Sequence, residues 1–115
     1  MIDPNGRALV RLMRAVAMLA MPPAVQADYL TRIGTPELAD ELALELDDGV
    51  RSVDSLRTRG YLTESEYRLL HRLNRKLDAM SGHQHEPLWR TTALAEQPEW
   101  QEVRMMAQEF LQEVA

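Results

Sequence analysis

The apolar residues of the first segment recur at intervals of three or four: Leu9, Leu12, Met13, Val16, Leu19 and Ala20. This period is typical of an amphipathic helix, and it predicts a first helix over 7–21. Pro22 and Pro23 end that helix, because proline lacks a backbone N–H and restricts the residue before it. Since proline also suits a first helical turn, we expect a second helix from there to Ile33.

The segment Thr35-Pro36-Glu37 has the composition of a helix start. Thr35 can cap, Pro36 suits the first helical position, and Glu37 would meet the positive end of the helix dipole. The third helix therefore starts here and ends at Asp47-Asp48-Gly49. Its inward stripe is Leu38, Leu42 and Leu46, flanked by Ala39 and Ala43. A short fourth helix is expected from Val50 to about Arg59.

The second half of the chain carries the strongest local signal. Thr63 and Glu66 match a capping box, and Leu62 can pack on Tyr67 as a hydrophobic staple. A fifth helix is predicted over 64–80, followed by a loop over 83–87 and a short helix from Leu88 to about Ala95. Pro98 starts the last helix, whose predicted inward face is Trp100, Val103, Ala107, Phe110 and Val114.

No segment alternates apolar and polar residues over the length of a strand. The pattern predicts an all-α fold, a single compact bundle of five to seven helices forming one domain over 1–115. The 115 residues are 45% hydrophobic and 27% charged, which is ordinary for a globular protein. The absence of cysteine excludes a disulfide framework and thiolate metal sites.

The first segment also resembles a secretory signal, with Arg7, Arg11 and Arg14 before the apolar run 15–21. The run is short and stops at two prolines, and a bilayer span takes about 20 apolar residues. We therefore expect a cytoplasmic protein that does not insert into a membrane.

Acidic residues are concentrated in and around the predicted third helix. Six lie close together without a basic residue between them: Glu37, Asp40, Glu41, Glu45, Asp47 and Asp48. If the helix starts at Thr35, one of its faces carries four of these residues: Glu37, Glu41, Glu45 and Asp48. A negative field speeds association with a basic partner, so we expect such a partner to bind here. The candidate binding residues are Glu37, Asp40, Glu41, Glu45 and Asp48. The alternatives are a solvated face, or one paired with arginines of the fourth and fifth helices.

Arg68, Arg72 and Arg75 form a basic stripe on the predicted fifth helix. With the connection over 59–63, they are similar to a helix-turn-helix unit, so DNA binding is an alternative function. The net charge of −5 opposes it, because the whole molecule repels nucleic acid at long range.

Metal binding and catalysis have little support in the sequence. His83, His85 and Glu86 offer zinc ligand types, but on a predicted loop without fixed geometry. No nucleophile is placed with a base, and no glycine-rich phosphate loop is present. A small helical enzyme or metal protein remains a third alternative; no catalytic residue, metal ligand or cofactor is predicted.

Several short motifs resemble small uncharacterised actinobacterial proteins. They are Asp40-Glu41-Leu42-Ala43-Leu44-Glu45, Gly60-x-Leu62-Thr63-x-x-Glu66, Met80-Ser81-Gly82, Trp89, and Pro98-x-Trp100-x-x-Val103-Arg104-x-x-Ala107. Proteins of that kind are similar in size, acidity and helicity to immunity proteins of bacterial toxin systems. The resemblance implies an immunity-like protein and carries over no active residues. Together with the acidic third helix it leads us to expect a non-catalytic, immunity-like or regulatory protein with a basic protein partner; a homodimer stays open.

Overall fold

The structure, a computed structural model, describes residues 3–115. These residues form seven α-helices and one 3₁₀ helix. In chain order they are α1 (Pro4–Leu19), α2 (Pro23–Arg32), α3 (Asp40–Val50), α4 (Val53–Thr58), α5 (Glu64–Ala79), the 3₁₀ helix (His83–Trp89), α6 (Ala93–Glu96) and α7 (Pro98–Val114). Over 3–115 there is no strand, only an isolated antiparallel bridge between Leu38 and Arg90. The all-α class is confirmed, with eight helical segments in place of the predicted five to seven.

Local capping explains where two of the helices begin. The backbone N–H of Gly6 donates to the carboxylate of Asp3 at 2.8 Å, so α1 starts at Pro4, three residues before the predicted start. The predicted capping box of α5 is confirmed. Glu66 N–H donates to Thr63 Oγ1 at 3.1 Å, and Thr63 N–H donates to Glu66 Oε1 at 2.8 Å.

Distant side chains cap the C-terminal end of α1. Pro22 and Pro23 have no N–H to offer the last carbonyls of the helix, so other donors are needed. The bonds are Gln26 Nε2 to Met18 O and Leu19 O, Gln108 Nε2 to Ala20 O, and Arg104 Nε to Met21 O, at distances between 2.9 and 3.1 Å. The end of α1 is thereby tied to α2 and α7.

Arg104 is buried, with 6% of its surface exposed. Besides Met21 O, its guanidinium donates to Gln26 Oε1 and Leu94 O at 3.0 Å and to Gln101 Oε1 at 2.7 Å. These acceptors are all neutral, and burial lowers the pKa of Arg104 from its ordinary value. Because a guanidinium stays charged in proteins, this is a buried cation held by amide and carbonyl dipoles.

The buried apolar side chains form one cluster, to which every helix except the 3₁₀ helix and α2 contributes at least two residues. α1 packs against α3 and α7, and α5 packs against α7. Trp100, Val103, Ala107 and Phe110 are fully buried, which confirms the predicted inward face of α7. Val114, the last residue of that predicted face, is only partly buried.

The predicted start of the third helix is wrong. The helix begins at Asp40, and residues 36–39 form a turn and the bridge to Arg90 instead. Glu37 therefore lies outside the helix, and Leu38 is 53% exposed instead of joining the inward stripe. The start signal at Thr35 is overridden because tertiary hydrogen bonds to residues 89–91 hold this segment in a turn and a bridge.

The predicted end of the third helix at Gly49 is also wrong. Gly49 lies buried within α3, which continues to Val50, so the next helix is shortened to α4. A Cβ on Gly49 would lie 3.1 Å from the Cα of Leu12. The glycine is explained by the close crossing of α1 and α3, and the sequence alone gives no sign of this contact.

Candidate functional site

Residues 36–39 and 89–91 are joined side by side next to α3. Ala39 N–H donates to Trp89 O at 2.8 Å, and Thr91 N–H donates to Glu37 O at 3.1 Å. The hydroxyl of Thr91 adds a bond to Pro36 O at 2.7 Å. These three bonds fix the two segments relative to each other on the molecular surface.

The segment predicted as a loop after α5 is a 3₁₀ helix anchored by two tryptophans. Trp89 Nε1 donates to Met80 O at 2.8 Å, and Trp100 Nε1 donates to Leu88 O at 2.7 Å. The two indoles meet edge to face, with centroids 5.3 Å apart. The two bonds hold the C-terminal residues of the 3₁₀ helix, Leu88 and Trp89, against α7 and the end of α5.

Between these elements lies an open groove of about 1130 Å³, which we call the acidic groove. Its lining residues come from 36–44 on one side and 81–92 on the other: Pro36, Glu37, Leu38, Asp40, Ala43, Leu44, Ser81, Gly82, His83, Glu86, Trp89, Arg90, Thr91 and Thr92. Leu38 and Leu44 are 53% and 54% exposed, and Trp89 is half-buried. Two large exposed leucines beside a tryptophan form an apolar surface that water covers in the free protein.

The charges around this apolar surface are predominantly negative. Glu37, Asp40 and Glu86 line the groove, against the single arginine Arg90 and the imidazole of His83. None of the three carboxylates makes an ion pair within residues 3–115. An apolar groove with an acidic rim suits a segment that carries both apolar and basic side chains.

The other predicted acidic residues lie elsewhere on α3. The carboxylate of Glu45 accepts a hydrogen bond from the hydroxyl of Tyr29 on α2. This bond, with burial and the negative charges of Glu45 and Glu41, raises the pKa of Tyr29 to about 12. Asp48 is exposed near the far end of the helix, 3.9 Å from Arg51. The structure thus brings Glu37 and Asp40 together at the groove, with Glu86 as a third member.

Arg68, Arg72 and Arg75 are exposed on α5, as the pattern predicts. Over residues 3–115 no ion pair joins them to the acidic residues of α3. Arg68 instead approaches Glu64 at 4.0 Å. Arg72 lines a second hollow of about 470 Å³, the methionine hollow, with Glu102, Met105, Met106, Gln108, Glu109 and Gln112. The three arginines of α5 are therefore interleaved with carboxylates.

The histidines of the 3₁₀ helix do not converge on a common point. His83 lines the acidic groove, whereas His85 is absent from its lining. In the part of the chain that the structure describes, no group of three or more His, Asp or Glu side chains is arranged to hold a metal ion. Likewise, no helix between residues 3 and 115 is both long and apolar enough to cross a bilayer.

Sequence reasoning missed Leu38, Leu44 and Glu86 as site residues. Leu44 had a usable signal, since it lies off the inward stripe of α3 as an apolar residue on a polar face. Leu38 and Glu86 had none, because their positions depend on the bridge and the 3₁₀ helix. Comparison of the chain with protein-family models, curated proteins and solved structures finds no match to any of them.

Proposed function

We propose that this chain is a non-catalytic protein-interaction module that binds a basic, amphipathic segment of a partner protein in the acidic groove. The observation that carries the proposal is the exposed pair Leu38 and Leu44, flanked by Glu37, Asp40 and Glu86, none of which is ion-paired within residues 3–115. Exposed leucines supply apolar burial on binding, and the acidic rim selects basic partners and speeds encounter.

The biological role that fits this activity best is immunity-like or regulatory, in the cytoplasm. It is supported by the resemblance in size, acidity and helicity described above, and by a cysteine-free chain that suits a reducing compartment. A partner held through an acidic surface would carry the opposite charge, as a basic toxin domain does.

DNA binding through α5 has less support. Recognition of a phosphate backbone needs a surface of concentrated positive charge. Glu64 lies beside Arg68, and Glu102 and Glu109 share the methionine hollow with Arg72, so carboxylates interrupt that charge.

A defined probe tests the proposal without knowledge of the natural partner. The probe is a synthetic peptide of about four helical turns, made of lysine and leucine with leucine at helical spacing. We expect calorimetric binding that weakens with salt. Peptides with glutamate in place of lysine, or serine in place of leucine, should not bind.

Charge reversal then ties the binding to the groove. Glu37→Lys with Asp40→Lys should raise the Kd of the peptide about tenfold, since two favourable contacts become repulsive. The matched control, Glu96→Lys with Glu113→Lys, makes the same change in net charge at exposed sites outside the groove. If both double variants weaken peptide binding equally, net charge alone attracts the peptide, and the proposal fails.

A further inference from the structure

The exposed face of α1 has the opposite character to the acidic groove. Arg7, Arg11 and Arg14 are all exposed and follow each other at i, i+4 and i+7, so they share one face of the helix. Val10 lies among them and is 46% exposed. We call these four residues the basic stripe.

No acidic residue occurs between Pro4 and Ala27, and the one carboxylate at the start of α1, that of Asp3, caps the helix by accepting from the N–H of Gly6. The three arginines make no ion pair or side-chain hydrogen bond within residues 3–115. The basic stripe therefore presents three cations without ion-pair partners in the described chain, beside the exposed side chain of Val10.

We propose that the acidic groove accepts the basic stripe of a second copy of this chain. The inference rests on the proposed function, because it takes the groove to be a binding site for basic, amphipathic segments. Charge complementarity supports it: Arg7, Arg11 and Arg14 would face Glu37, Asp40 and Glu86, and Val10 would lie against the exposed leucines. The molecule thus carries both a basic helix face and a groove suited to one.

The contact joins two different surfaces, so its symmetry determines the size of the assembly. If both copies insert the stripe at once, a closed two-fold dimer forms; if only one does, chains grow head to tail. The contacting surface is small and charged, so we expect weak association, with a Kd on the order of 0.1 mM at low salt. Such an assembly would be dissociated by a partner that binds the groove more tightly.

Two charge-reversed variants test this pairing. The first, Arg7→Glu with Arg11→Glu, makes the stripe acidic; the second, Glu37→Lys with Asp40→Lys, makes the groove basic. In analytical ultracentrifugation at low salt, the wild type should exceed the monomer mass of 13.2 kDa as its concentration rises. Each variant alone should remain monomeric, because its stripe and groove then carry like charges.

An equimolar mixture of the two variants should associate again, because the acidic stripe of one fits the basic groove of the other. Arg59→Glu with Arg75→Glu is the matched control and should associate like the wild type. Circular dichroism confirms that each variant is folded. A monomeric wild type at millimolar concentration, an associating stripe variant, or a mixture that stays monomeric would each overturn the inference.

The lysine–leucine peptide separates this inference from the proposed function. A wild type that is monomeric yet binds the peptide in the groove refutes self-association alone. A wild type that is monomeric and does not bind the peptide refutes both self-association and the proposed function. If the monomeric protein binds anionic lipid vesicles and the stripe variant does not, the stripe belongs to a membrane surface and the inference is overturned. If the peptide dissociates the assembly, the two ligands share the groove, as the inference requires.

Discussion

Arg104 is the residue whose environment is furthest from what its type suggests. Arginine is rarely buried without a carboxylate, yet the acceptors around this one are three carbonyl or amide groups from distant segments and one from its own helix. The arrangement is favourable because Met21 O belongs to the C-terminal end of α1, where the helix dipole is negative. Its role is to hold together the ends of four helices.

Replacing Arg104 tests this role. Arg104→Met keeps much of the side-chain volume but leaves two buried acceptors, Gln26 Oε1 and Leu94 O, without their donor, so the free energy of unfolding should fall by about 2–4 kcal/mol. Arg59→Met, an exposed change of the same charge, should have little effect. The comparison is made by urea denaturation; equal stability of the two variants would mean that water satisfies the exposed end of α1.

Tyr29 provides a prediction about pH. Its pKa of about 12 lies above the unfolded-state value near 10, because the hydroxyl donates to Glu45. The protonated phenol therefore stabilises the fold fully below pH 10, and this stabilisation is lost as pH rises from 10 to 12. Burial and the hydrogen bond to Asp54 also raise the pKa of Tyr67, but in an absorbance titration of tyrosinate the latest ionisation should be the one that is missing in Tyr29→Phe.

Glu45→Gln should shift that late ionisation back towards pH 10, since the amide carries no negative charge. The stability difference between the wild type and Tyr29→Phe should also shrink over the same pH interval. A titration in which Tyr29→Phe loses an early tyrosine would contradict the assignment.

At the scale of single residues, the sequence predicts burial where a periodic pattern decides it and fails where tertiary contacts decide it. Trp100 and Phe110 lie on the stripe of α7 and are buried as predicted. Gln26 and Arg104 are buried because Pro22 and Pro23 leave the carbonyls of α1 without donors. Arg104 lies 83 residues from its acceptor Met21 in the chain and 78 from Gln26, and no local pattern records such contacts.

Among the elements, α5 is the one that its own sequence specifies most completely. The capping box fixes its first turn, and the leucines that recur at three and four residues, Leu70, Leu73 and Leu77, are buried. Thr63→Ala should lower the free energy of unfolding by about 1 kcal/mol through loss of the cap. Ser65→Ala, in the same turn but outside the capping box, should change stability less in chemical denaturation. Identical effects would show that the cap contributes nothing.

The crossing of α1 and α3 depends on Gly49. Alanine is the better helix former by about 0.5–1 kcal/mol, so Gly49→Ala would stabilise α3 if it were free. In the fold its Cβ meets the backbone of Leu12 at 3.1 Å, and separating the helices costs about 1–3 kcal/mol. We therefore expect a net loss of stability in urea denaturation, and a gain would mean that the two helices can move apart freely.

Most helices are predictable from the sequence, whereas the acidic groove is not. A cap and a hydrophobic period act within a few residues, so the sequence indicates most helices to within a few positions. The start of α3 and the 3₁₀ helix depend instead on the pairing of residues 36–39 with 89–91 and on the two indole hydrogen bonds. Because these pairings form the groove, its shape is a tertiary property.

At the scale of the whole molecule, the distribution of charge is more informative than its total. The net charge is −5, yet the first 27 residues carry three arginines and one acidic residue. Three carboxylates without ion-pair partners in the described chain, those of Glu37, Asp40 and Glu86, border the apolar surface of the acidic groove. This separation supports binding of a basic segment at one defined site, because a net negative charge alone would attract basic partners to the whole surface.

A ¹H–¹⁵N NMR titration of the full chain with the lysine–leucine peptide shows directly whether the acidic groove binds a basic segment. We expect saturable shift changes at residues 36–44 and 81–92 that are absent in the variant with Glu37→Lys and Asp40→Lys. Changes centred on Met105 and the methionine hollow, or spread evenly over the acidic surface, would contradict this expectation.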